Sequence, residues 1–185
     1  MPKAMNDSIE IRLGGVGGQG IALAGTLLGN AAALYDDKEA VFTQTYGPEA
    51  RGGASRADII ISDNPIAYPF VTRPHVVAVL FQEAYEKFGQ ELAPGGLLIV
   101  ENDLVNARTD DADVVRLPAV KIAEELGNKL AANIVVLGYL IGATNAVSLH
   151  AMEEAIRATV NARHLDLDMQ ALNAGFTLAV EAGND

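Results

Sequence analysis

One short stretch limits the folds open to this chain more than any other: Gly14-Gly15-Val16-Gly17-Gly18-Gln19-Gly20. Before it, Ile9-Glu10-Ile11-Arg12-Leu13 alternates apolar and polar side chains, as a half-buried strand does. After it, Ile21-Ala22-Leu23-Ala24-Gly25-Thr26-Leu27-Leu28 reads as a buried helix. Gly15, Gly17 and Gly20 thus set G-x-G-x-x-G at a strand-to-helix turn. That spacing answers three needs: a sharp turn, approach of a ligand to bare backbone, and close packing of the helix on its strand. The N–H groups at the start of the following helix favour an anion such as a phosphate. A tight turn that binds nothing is the other reading of the same residues.

Two known versions of such a loop are disfavoured. A phosphate-binding P-loop continues with Lys and then Ser or Thr, whereas Ile21 and Ala22 stand here. A dinucleotide site sets an acid at the end of the second strand, beside the ribose hydroxyls. The second strand reads as Glu39-Ala40-Val41-Phe42-Thr43-Gln44-Thr45, and Asp36, Asp37 and Glu39 lie before it or at its start.

Strand-like and helix-like stretches then alternate. Tyr46-Gly47-Pro48-Glu49-Ala50-Arg51-Gly52-Gly53 is a loop of turn formers, and Arg56-Ala57-Asp58-Ile59-Ile60-Ile61-Ser62 a third strand. Residues 64–74, with Pro65, Pro69 and Pro74, are irregular. His75-Val76-Val77-Ala78-Val79-Leu80-Phe81 and Leu97-Leu98-Ile99-Val100 read as central strands, with a helix over 83–92 between them that stops at Pro94-Gly95-Gly96. Asp113-Val114-Val115-Arg116-Leu117 is a shorter strand, and Pro118 opens a helix through Leu126. The expected fold class is therefore α/β: a Rossmann-like, mostly parallel sheet with flanking helices and a helical C-terminal segment. With 185 residues, half of them hydrophobic, a single domain over 1–185 is expected, its α/β part at 9–128 and its helical part at 129–183. In that helical part Gly138 and Gly142 share a face that permits close packing, either inside the core or at a subunit contact. Leu165, Met169, Leu172, Phe176 and Val180 recur at helical spacing and read as core or interface.

The chemistry-bearing residues are few. His75, His150 and His164 are isolated and make no metal-ligand spacing. Gly53-Ala54-Ser55 touches the nucleophile-elbow pattern, but a strand follows the serine where that elbow needs a helix. Cysteine is absent, which excludes disulfides and cysteine-ligated iron–sulfur clusters within the chain. A net charge of −11 without a Lys/Arg cluster argues against nucleic acid, and the apolar run at 131–143 is too short for a membrane span. The polar first residues lack a signal-peptide core, so a cytoplasmic location is expected. No catalytic set emerges. In an open parallel sheet, ligands sit beyond the carboxyl ends of the strands. The loops 14–20 and 46–53 should share that rim, where Arg51, with Arg56, is the cation best placed for an anion.

At these two loops the sequence resembles the gamma subunit of 2-oxoacid:ferredoxin oxidoreductases. The resemblance rests on Gly15-Val16-Gly17-Gly18-Gln19-Gly20 and on Thr43-Gln44-Thr45-Tyr46-Gly47-Pro48-Glu49-Ala50-Arg51-Gly52-Gly53. It extends to residues 56–62 and to Leu167-Asp168-Met169-Gln170-Ala171-Leu172-Asn173-Ala174-Gly175, and so covers nearly the whole chain. Ala50 in the second loop resembles the 2-oxoglutarate type, with the branched-chain type next; pyruvate and indolepyruvate variants of the loop fit less well. The resemblance implies a complex that oxidatively decarboxylates a 2-oxoacid with coenzyme A and reduces ferredoxin. Its partners are the alpha and beta subunits, with delta as a further candidate. Thiamine diphosphate, Mg and the 4Fe-4S clusters are implied to lie on those partners only. The implied role of this chain is coenzyme A binding and completion of the cleft, carried by Gly15, Gly17, Gly18, Gln19, Gly20, Arg51, Gly52 and Gly53. The isolated chain is expected to be inactive and open to self-association. A stand-alone nucleotide-binding module and a purely structural assembly subunit are the alternatives from other classes.

Overall fold

The computed structural model describes residues 8–46, 53–108 and 114–183. Among these residues six strands form one sheet in the order β2-β3-β1-β4-β5-β6. They are β1 (Ser8–Val16), β2 (Glu39–Tyr46), β3 (Ala54–Ser62), β4 (Val76–Val79), β5 (Leu97–Glu101) and β6 (Val114–Leu117). The helices are α1 (Ile21–Asn30), α2 (Gln82–Phe88), α3 (Ala119–Glu125), α4 (Ala132–Thr144), α5 (Leu149–Thr159) and α6 (Ala162–Ala182). The mostly parallel α/β sheet read from the sequence is borne out. The exception is β3, which pairs antiparallel with both β1 and β2. The cause is the short link between Tyr46 and Ala54: a parallel crossover needs about a dozen residues or more, so this link closes a hairpin instead.

The chain leaves β3 at the amino rim and returns to β4 beneath β1 through the proline-rich segment. That passage is fastened to β1, because the N–H groups of Thr72 and Arg73 donate to the Glu10 carboxylate at 2.9 and 3.0 Å. His75 is structural, its Nδ1 accepting from the Glu10 N–H at 3.0 Å.

The larger core lies on one face of the sheet, where Ile11, Leu13, Ala57, Ile59, Ile61 and Ile99 meet α1, α4, α5 and α6. The smaller core lies opposite, under α2. The alternation in β1 predicts a polar face at Arg12, yet Arg12 is only 3% exposed. β1 is central, with α2 and a 3₁₀ turn (Gly89–Glu91) covering that second face. Arg12 is held there by Asp58 of β3, itself buried, at 2.7 and 2.9 Å in a two-pronged contact. It also pairs with Glu91 and donates to the Val71 carbonyl.

α4 and α6 approach until backbone meets side-chain-free positions. A Cβ on Gly138 would collide with the Leu172 carbonyl of α6, and one on Gly175 with the Val135 carbonyl of α4. The pair Gly138 and Gly142 therefore serves the core, facing α6. The buried line of α6 runs through Asp168, Ala171, Leu172, Gly175 and Ala179, and Val180 lies outside it, 45% exposed. Small residues, not the large apolar ones, decide which face of α6 comes closest.

Candidate functional site

Strand order reverses between β1 and β4, so the ends of these strands form the switch point of the sheet. The glycine loop leaves β1 there. Gln19 holds its shape: the side-chain carbonyl accepts from the Val16 N–H at 2.9 Å, and the amide donates to the Leu80 carbonyl at the end of β4 at 3.0 Å. Both polar ends of Gln19 are thus engaged within the chain, and its role in the loop is a brace across the switch point.

The glycines divide their tasks differently from the fingerprint's usual allotment. Gly18 (φ 93°) and Gly20 (φ 69°) occupy the left-handed region that favours glycine. Gly20 is also pressed against the Asn133 side chain of α4, whose amide donates to the Gly20 carbonyl at 3.1 Å. A Cβ at Gly15 would meet Gln19 and Ile21 at 2.7 Å. The close approach of helix to strand, one of the three needs of that spacing, belongs to Gly25 of α1, which lies on Phe42 and Ala57. Gly17 is exposed, outside the left-handed region, and among the described residues a Cβ there would meet nothing within 4 Å.

Beside this loop lies a cleft of about 350 Å³. Gly18, Gln19 and Leu80 form its switch-point side, and Leu104, Lys129 and Leu130 face them. Lys129 supplies the cation at this cleft, and Glu124 is the acid on the same wall. The wall is fixed from behind by Glu101, which is 1% exposed at the end of β5. Its carboxylate accepts the N–H groups of Asp103 and Leu104 at 2.7 Å and of Val120 at 3.3 Å.

The strands that flank the second loop end at the same rim. Tyr46 pairs with Ser55, Ser55 with Gly15, and Ala54 with Val16, so Gly53 comes down beside the glycine loop. Arg51 and Gly52 lie outside the described residues, as does Glu49. Arg56 is not available as a rim cation: its guanidinium pairs with Asp58 at 3.2 Å and lies over the Phe88 ring. Ser55 is buried, opens no helix, and donates to the Gly15 carbonyl at 3.3 Å. Sequence reasoning missed Lys129, Glu101 and Asn133. No local pattern marks them; Asn133 stands 113 positions from the glycine it contacts. Among the described residues no three His, Asp or Glu side chains gather to hold a metal ion, and no helix is long and apolar enough to cross a membrane.

Fold and rim together define a Rossmann-like domain with a cleft at its switch point, lined among the described residues by bare backbone, apolar side chains, one cation and one acid. The chain belongs to the pyruvate ferredoxin/flavodoxin oxidoreductase family, whose pattern matches residues 10–178. Within that family it is 47% identical to the 2-oxoglutarate synthase subunit KorC of Methanocaldococcus jannaschii, over 93% of this chain and 94% of that one. The gamma subunit of a keto/oxoacid ferredoxin oxidoreductase from Geobacter sulfurreducens superposes with a TM-score of 0.86 at 37% identity, covering 96% of this chain and 99% of that chain. The same fold recurs in the 2-oxoglutarate:ferredoxin oxidoreductase of Magnetococcus marinus, with a TM-score of 0.83 at 23% identity, over 95% of this chain and 31% of that one. The gamma-subunit resemblance read from the glycine motifs is borne out.

Proposed function

We propose that this chain is the gamma-type subunit of a 2-oxoglutarate:ferredoxin oxidoreductase, and that its switch-point cleft holds part of coenzyme A. The observation that carries the reading is Gly17. Among the described residues the fold gives no reason for a glycine there, since neither its backbone angle nor its surroundings require one. The requirement then lies outside the described residues, in something that comes against the bare backbone. The next residue, Gly18, lines the cleft, and the residues that line it with Gly18 suit coenzyme A: Lys129 for a phosphate, and Leu80, Leu104 and Leu130 for an apolar arm. The relatives named for 2-oxoglutarate set the substrate class, and the Magnetococcus marinus enzyme was solved with coenzyme A bound. Arg51, Gly52 and Gly53 of the second motif would join them as coenzyme A-binding residues.

In this role the chain contributes binding and closure, not catalysis. Thiamine diphosphate and iron–sulfur clusters would reside on alpha, beta and, where present, delta partners in the cytoplasm, with ferredoxin as acceptor. The test is titration of the subunit, alone and in the reconstituted complex, with coenzyme A and with its dephospho form. Saturable binding that perturbs residues 17–20 and Lys129 supports the reading. A complex that assembles and turns over with coenzyme A contacting only other subunits overturns it.

A further inference from the structure

α3 begins without a cap of its own. Pro118 stands at its N-cap and offers no side-chain acceptor to the free N–H groups of the first turn. The acceptor comes from β5 instead: one carboxylate oxygen of Glu101 accepts from the Val120 N–H at 3.3 Å. Negative charge is favoured at a helix start. The other oxygen accepts from the N–H groups of Asp103 and Leu104, both at 2.7 Å. Glu101 is 1% exposed, and a carboxylate buried that deeply is costly unless hydrogen bonds answer it.

The residues tied together in this way belong to the cleft. Leu104 and Val120 both line it, and both give their N–H to this one side chain. Leu104 is 40% exposed, an apolar side chain held at the opening. The tie continues along α3. Glu124, one turn beyond Val120, stands on the same wall. The Asn128 N–H then donates to the Ala123 carbonyl at 3.0 Å, and the Asn128 side chain accepts from the Leu130 N–H at 3.0 Å. Lys129 and Leu130 are thereby fastened to the end of α3. A displacement of α3 from β5 would carry Val120, Glu124, Lys129 and Leu130 away from Leu104 and Gly18.

We propose that Glu101 is a positioning residue of the cleft. Its carboxylate sets the distance between Leu104 and α3, and through α3 the place of Lys129. It thus governs the affinity for coenzyme A without touching the ligand. This role rests on the coenzyme A reading of the cleft, and adds to it the residue that holds the cleft in its binding shape.

Glu101→Gln isolates the role. The amide keeps its oxygen for the two short bonds and turns its NH2 toward the Val120 N–H, donor against donor. The turn at Asp103 and Leu104 survives, and α3 is released. The test uses the full chain, isotope-labelled for amide NMR, and the complex reconstituted with it. In the free variant, amide shifts are expected at Val120, Ala123, Lys129 and Leu130, and none in β1 to β3. In the complex, KM for coenzyme A should rise about tenfold, with kcat at saturating coenzyme A and KM for 2-oxoglutarate held. A side chain that serves stability alone lowers Tm without that split. Glu101→Asp keeps the charge but, one methylene shorter, falls short of α3 when its short bonds are kept, and should give the same split. An unchanged KM for coenzyme A in both variants overturns the role of Glu101, as does a fall in kcat with that KM held. Failure of both variants to fold overturns it too, because Glu101 then belongs to the fold at large. The wild-type titration separates the two readings. Wild-type binding at residues 17–20 and Lys129, with equal affinity in the variants, refutes the role of Glu101 alone. No wild-type binding there refutes the proposed function, and the role of Glu101 with it.

Discussion

Gly17→Val separates a loop shaped by folding from a loop shaped by what it binds. A Cβ at this position meets nothing within 4 Å, and φ lies outside the left-handed region. The added Cβ therefore bears no steric cost among the described residues. Replacing glycine where the backbone is compatible stabilises by about 0.4–1 kcal/mol, through the lost freedom of the unfolded chain. For a chain of this size 1 kcal/mol moves Tm by about 2–4 °C, so the free subunit should melt at the same temperature or slightly higher. Gly20→Ala is the contrasting variant. Its φ of 69° costs an L side chain about 1–2 kcal/mol, and the new methyl would push Asn133 off the loop. That variant should lose several degrees. The assay pairs thermal denaturation of the free subunit with the apparent KM for coenzyme A in the reconstituted complex. Gly17→Val should raise that KM about tenfold, a loss of about 1.4 kcal/mol, with Tm held. An unchanged KM in a folded, assembled variant would refute the inference from the bare glycine. A stability loss above about 1 kcal/mol would refute the claim that the position is open.

Lys129→Gln should raise the KM for coenzyme A with kcat and Tm little changed; equal kinetics would remove the cation from the site. Asp58→Ala leaves Arg12 buried without its two-pronged partner and should cost about 3–5 kcal/mol in urea denaturation, whereas Arg12→Met combined with Asp58→Leu should recover most of that. Gly175→Ala drives a methyl into the Val135 carbonyl and should cost about 1–3 kcal/mol; a neutral result would mean the two helices are not in backbone contact. Asp168 lies buried in α6, and burial raises its pKa above the ordinary carboxylate range while nearby His164 opposes the shift. The folded chain then holds this proton more tightly than the unfolded one, so the site's contribution to stability falls as pH rises from the unfolded pKa to the folded pKa. Asp168→Asn should therefore stabilise at neutral pH and gain nothing once Asp168 is protonated in both states, as denaturant midpoints across pH would reveal.

Periodicity and turn chemistry made the sheet legible, because β4, β5 and the glycine loop each carry a local pattern. The antiparallel hairpin was legible only through the distance between Tyr46 and Ala54, which is too short for a crossover. Arg12 and Asp58 escaped the reading of polar residues as a solvent face, because a central strand hides both faces and a bidentate ion pair can occupy one. The site was half legible. The glycine motif marked the loop, but Lys129, Glu101 and Asn133 reach it only through tertiary packing, and no spacing in the sequence predicts which helix start will face residue 18. The division of tasks among the glycines was equally hidden, since backbone angles and neighbours, not identity, distinguish Gly17 from Gly20.

The hydrogen bond from Asn133 to the Gly20 carbonyl also sets an order in time. Synthesis runs from the amino end at about 5–20 residues per second, and every strand of the sheet precedes α4 in the chain. A growing polypeptide can emerge with the whole sheet while Gly20 still lacks its clasp and the cleft lacks the wall that carries Lys129. On the proposed reading the cleft is therefore complete only with the last third of the chain, and a ribosome-stalled fragment ending before residue 129 would lack both that wall and the helices α4, α5 and α6 that cover the larger core.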